Sequence, residues 1–180
     1  MATTLRIIEG EPAARPAVTG LSAAAAAIDA SAVWSRLEGW CAHRWGVRSA
    51  SFIADGCGAW ESPLRPATIT VTERWEAGEW VAATLAASPF GGFELDGAGP
   101  YRFAATVGDA TAPAAVIEAF KRLAEYMAQS AGEVSAGTAA LMSGSDGDFS
   151  FARPAGWAAQ ALHLSGASDL LRPWRHLGVS

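Results

Sequence analysis

Few residues in this sequence have the type and spacing that chemistry demands. A phosphate-cradling loop would need a glycine-rich turn ending in lysine and a hydroxyl residue, and the single lysine, Lys121, stands in a helical pattern instead. Gly56-Cys57-Gly58 offers two of the three glycines of a dinucleotide fingerprint, but Trp60 and Glu61 follow and the third glycine is missing, so it reads as a turn. Cys41, His43, Cys57 and His163 are the right types for zinc but lack the paired spacing that a tetrahedral site uses. Asp146-Gly147-Asp148 lacks the closing glutamate of a calcium loop. Gly144-Ser145-Asp146-Gly147 is one residue short of a nucleophile elbow. Glu73, Glu76 and Glu79 surround one turn, where exposure accounts for them without an acid–base role. The expectation is therefore a chain with no catalytic residues, no cofactor and no metal, with a binding or assembly role.

One segment does call for a partner. Leu170, Leu171, Arg172, Pro173, Trp174 and Arg175 put three large apolar side chains and two arginines in six residues. Such a segment is a liability unless it docks, and Trp and Arg dominate interface hot spots. Residues 153–180 hold three Arg and one Asp, hence +2, which leaves −7 for the rest of a chain of net charge −5. An acidic partner would meet this basic end, whereas broad nucleic-acid binding is disfavoured by the overall charge.

Periodicity sets the scaffold around these residues. The 180 residues are 51% hydrophobic and 17% charged, enough for one domain with its own core. Residues 1–20, with Pro12, Pro16 and Gly20, read as an arm that orders only against something else. Ser22 caps a helical pattern over 21–45, with Trp34, Leu37, Cys41 and Trp45 on one face and Gly46 as its stop. Residues 49–108 turn to period two: Ile69 and Val71 alternate against threonines in a half-buried strand, and Trp75 and Trp80 face each other across a hairpin. A second helix over 113–129 buries Val116, Phe120, Leu123 and Met127. Residues 131–148 read as a mobile loop or a crossing segment and 154–164 as a short helix. Two cysteines make no disulfide framework and are expected as free buried thiols. No secretory or membrane-spanning pattern is present, and a cytoplasmic chain is expected.

Several runs, in order, resemble the head–tail connector (adaptor) proteins of tailed phages and of alphaproteobacterial gene transfer agents. They are Trp34-Ser35-Arg36-Leu37-Glu38-Gly39-Trp40, Arg44-Trp45, the stretch from Gly56 to Thr68 containing Trp60-Glu61-Ser62-Pro63-Leu64-Arg65-Pro66, Ser88-Pro89-Phe90-Gly91-Gly92, Gly99-Pro100-Tyr101-Arg102, Ala105 to Gly108, Pro113 with Ala119 to Met127, and Ser165-Gly166-Ala167 with Leu170 to Arg175. Together they cover residues 30–178. The resemblance implies an α+β fold, a small helical bundle with an inserted β-hairpin or β-rich region and an extended C-terminal arm at 165–180. It implies a structural, non-enzymatic virion protein of the neck, assembled in the host cytoplasm. Such a protein forms a ring of roughly twelve copies between the portal and the next stopper or tail component, and DNA passes through its channel without specific binding. On this reading Leu170, Leu171, Arg172, Pro173, Trp174 and Arg175 bind the portal, and Glu73, Glu76, Glu79 and Glu94 face the channel or the next ring. Another neck ring, a stopper or tail terminator, and a small ligand-binding or hydrolase domain are the alternatives.

Overall fold

The computed structural model describes residues 1–134, 140–144, 147–151 and 160–175, the side chains of 130–134, 140–144 and 147–151 excepted. Within it the chain divides into two units, each built from two stretches: Met1–Pro16 with Ala42–Thr111, and Ala17–Cys41 with Ala112–Ser180.

The first unit is all β. Strands β1 (Thr3–Glu9), β2 (Arg48–Asp55), β8 (Tyr101–Val107), β4 (Ala67–Glu76) and β5 (Glu79–Ala82) form a five-stranded antiparallel sheet in the order β1-β2-β8-β4-β5. A three-stranded sheet joins β3 (Cys57–Trp60), β7 (Phe93–Asp96) and β6 (Ala86–Ala87) in the order β3-β7-β6. Period-two alternation on β2 and β8 turns Ala50, Phe52, Ala54, Tyr101, Phe103, Ala105 and Val107 to one side, where they pack with Trp60, Leu64 and Leu95. The Trp60 ring stacks on Phe103 at 3.9 Å, and its indole N–H donates to Thr4 Oγ1 at 2.9 Å. Both amphipathic halves of that indole are thus used.

The second unit carries the helices α1 (Ala23–Ala26), α2 (Ala30–Cys41), α3 (Ala114–Val134), α4 (Ala161–Leu164) and α5 (Ala167–Leu170), a 3-10 turn at Arg172–Trp174, and an antiparallel hairpin of β9 (Ala140–Gly144) and β10 (Gly147–Phe151). Ser22 caps α1 as its position suggests: its Oγ accepts from the Ala25 N–H, while its own N–H and hydroxyl donate to the Glu125 carboxylate at 2.7 Å each. Those two donations hold Glu125 below the ordinary carboxylate range. Trp34, Leu37 and Cys41 of α2 are buried as their spacing predicts, with Trp34 4.9 Å from the Phe120 ring of α3.

Four expectations are corrected. The fold is mixed but rich in antiparallel sheet, not a small helical bundle with an inserted hairpin. Residues 48–107 supply seven of the eight strands of the two sheets and a core cluster in which β2 and β8 bury alternate side chains. The first twenty residues hold β1, an edge strand paired with β2 from Thr3↔Asp55 to Glu9↔Ala50. The helix over 21–45 is two helices ending at Cys41, since Ala42 turns left-handed at φ 55°. Residues 131–148, expected as a loop or a crossing segment, include the end of α3, β9 and the start of β10. Of the helix expected over 154–164, residues 154–159 lie outside the described residues.

Candidate interaction surface

The β4–β5 hairpin is closed by the two-residue turn Ala77-Gly78, both left-handed at φ 48° and 95°, the backbone that matches the twist of the strands. Its register places Trp75 opposite Trp80, rings 5.1 Å apart and edge to face. Arg102 of the neighbouring β8 donates to Glu73 at 2.5 Å and sits 4.7 Å over the Trp80 ring. That hydrogen bond draws the Glu73 carboxyl below its usual range. On the other side of the hairpin Arg74 pairs with Glu76 and, at 3.3 Å, with Asp96, which also accepts from the Tyr101 hydroxyl. Ion pairs and an indole pair therefore stiffen a hairpin whose Trp75 remains open to solvent.

These contacts decide the fate of the four glutamates expected at a channel. Glu73 and Glu76 are neutralised by arginines of the same chain. Glu79 is exposed at the turn, and Glu94 is half-buried on β7, in the other sheet.

Large exposed apolar side chains stand on both edge strands of the five-stranded sheet, β1 and β5, and on β4 beside the second edge. On β1, Leu5 is 64% exposed, Ile7 43% and Ile8 50%; on β4 and β5, Val71 is 45%, Trp75 42% and Val81 38%. Two register shifts help to put them there. One, between Thr4 and Arg6, leaves Leu5 as the bulged residue, and the other, between Ile69 and Val71, turns Val71 to the face opposite Ile69. Sequence alternation alone assigns Ile69 and Val71 to one face; a bulge leaves no signature in period two.

The C-terminal segment is not an extended arm. Leu171 is 0% exposed, Ala167 is equally buried, and Leu170 is half-buried. The segment is folded into α5 and the 3-10 turn, and the Arg175 guanidinium lies 4.6 Å over the Trp40 ring. Docking on its own unit satisfies the apolar side chains that by composition alone call for a partner. Arg172, Pro173 and Arg175 stay exposed and Trp174 partly so; residues 176–180 lie outside the described residues.

The remaining candidates for chemistry are dispersed. A concavity of about 400 Å³ in the first unit is lined by His43, Trp60, Glu61, Ser62 and Arg65 among others. Its His43 is bonded to Asp109 at 3.0 Å, its Arg65 to Glu61 at 2.5 Å, and its Ser62 hydroxyl donates to the Leu64 carbonyl at 2.8 Å. Nucleophile and base are thus each turned to another partner. Among the described residues no three of His, Cys, Asp and Glu are grouped to hold a metal ion, and no helix is long and apolar enough to cross a membrane. Cys41 is buried, its thiol donating to the Leu37 carbonyl at 3.0 Å, but Cys57 is exposed rather than buried. Ser145 and Asp146 lie outside the described residues.

Compared with known proteins, the chain matches no family model, no curated protein and no solved structure.

Proposed function

We propose that this chain is a structural subunit of a ring, a head–tail connector set between a portal and the next stopper or tail component of a phage or gene-transfer particle. The observation that carries the reading is the placement of exposed apolar side chains on both outer strands of one sheet. Two different sticky edges on one subunit suit head-to-tail assembly, which closes into a ring when the rotation between copies permits. The ordered sequence runs that resemble those of connectors support the particular identity proposed. That resemblance rests on residues from 30 to 178 in order and not on helix content.

In this role the portal contact falls to Arg172, Pro173, Arg175 and the open side of Trp174, since Leu171 is committed to its own unit. A ring multiplies these small contacts, because each bound subunit raises the effective concentration of its neighbours. DNA would pass the lumen without base readout, consistent with a net charge of −5.

The test is co-expression with portal proteins of tailed phages and of gene transfer agents, followed by sedimentation and particle imaging. A ring that co-sediments with portal and loses it in an Arg172→Glu/Arg175→Glu variant supports the proposal. A monomer that ignores portal, or a ring that binds only tail-tube protein, overturns it, the latter in favour of a tail terminator.

A further inference from the structure

We infer that the subunit contact is a β-strand addition, in which the free edge of β1 pairs in parallel with the free edge of β5 on a second copy of this chain. The inference rests on the ring reading for its occupant and adds the surface, the register and the residues.

The backbone points to it first. In an antiparallel ladder, inward and outward hydrogen-bonding groups alternate along each strand. On β1 the Gly10 N–H donates inward to the Ser49 carbonyl at 2.9 Å, so Ile8 and Arg6 also face β2 and the N–H and C=O of Ile7 and Glu9 face out. On β5 the Ala83 N–H donates inward to the Thr72 carbonyl at 2.9 Å, so the groups of Trp80 and Ala82 face out. Each edge therefore carries two outward residues at matching spacing.

Strand direction and side-chain facing agree with this. Four antiparallel steps separate β1 from β5, so the two strands run the same way, and copies set side by side around a ring meet in parallel. In a parallel pair an outward residue sits opposite an inward one, which places Ile7 opposite Val81, Arg6 opposite Trp80 and Ile8 opposite Ala82. The faces then match. Ile7 pairs with buried Phe52, and Val81 connects through Arg74 to buried Tyr101, so both lie on the core side. Arg6 and Trp80 both lie on the side of Arg102. One register thus covers two exposed aliphatic side chains with each other and brings an arginine beside an indole.

A symmetric β1–β1 pairing would instead leave Val81 and the hairpin edge uncovered.

The test uses Ile7→Lys, which spoils the β1 edge, and Val81→Lys, which spoils the β5 edge, each checked for a wild-type circular dichroism spectrum, with Ile7→Thr and Val81→Thr in reserve should either lysine variant unfold. In native mass spectrometry the unmodified chain should give a ring and each variant alone a monomer of 18.6 kDa. Mixing the two, one isotope-labelled, should restore a mixed dimer and nothing larger, because one intact edge from each survives. Val81→Lys that still dimerises by itself would show a β1–β1 contact, and rings formed by both variants, or a monomeric unmodified chain, would equally overturn the inference. Portal co-sedimentation is scored separately, so a ring with this interface that ignores portal counts against the connector role alone.

Discussion

Leu171→Ala separates a segment held by its own unit from one that waits for a partner. Leu171 is fully buried at the junction of α5 and the 3-10 turn, beside equally buried Ala167. Truncating a buried leucine costs about 2–5 kcal/mol, the spread depending on how far the site collapses. A position between two short elements can relax, so about 3 kcal/mol is expected. At about 2 kcal/mol per molar urea that lowers the unfolding midpoint by roughly 1.5 M. Urea titration followed by tryptophan fluorescence reads it, since Trp34, Trp40 and Trp174 lie in the same unit. Arg172→Ala, at an exposed position in the next turn, should move the midpoint by less than about 0.5 kcal/mol equivalent. A Leu171→Ala protein with an unchanged midpoint but lost portal binding would refute the reasoning and restore the extended arm.

Other consequences are as direct. Ala77→Gly should stabilise the hairpin by about 0.5–1 kcal/mol, because Ala77 is held left-handed at φ 48°; a lower melting temperature would contradict it. Glu9 is held below the ordinary carboxylate range chiefly by hydrogen bonds from Arg44, at 2.7 and 2.8 Å. Its folded pKa being depressed, its stabilisation is complete above the unfolded value near 4.5 and disappears as pH falls through the lowered one. Amides of β1 should accordingly lose hydrogen-exchange protection below pH 4.5, after correction for intrinsic rates, and Glu9→Gln should flatten that dependence. A thiol reagent should titrate one equivalent in native protein, exposed Cys57, and the second, Cys41, only in denaturant; two equivalents at once would place Cys41 at the surface.

Local signals in the sequence carry the elements they govern. Ser22 before an alanine run, the Val116–Phe120–Leu123 stripe, and Trp75 and Trp80 flanking a two-residue turn all stand where spacing puts them. What spacing does not express is long-range. The pairing of β1 with β2 joins positions from Glu9↔Ala50 to Thr3↔Asp55, roughly forty to fifty residues apart, and nothing near Leu5 announces it. Bulges at Leu5 and Thr70 reverse the facing of every later residue on their strands. Glu73 reads as free surface charge because its partner, Arg102, is identified only by strand register, whereas Arg74, the partner of Glu76, stands two residues away on the same strand. The segment around Leu171 is legible as apolar and in need of cover; composition does not say whose cover.

The interleaving of the two units has a consequence during synthesis. Glu9 of β1 pairs with Ala50, and all of Ala17–Cys41 lies between them. At about 5–20 residues per second, β1 therefore leaves the ribosome roughly 2–8 s ahead of its neighbour. For that interval Leu5, Ile7 and Ile8 sit on a strand with neither edge paired. A crowded polysome is where the sticky edge would first meet other copies of itself, and early mispairing there is the hazard that this chain order carries.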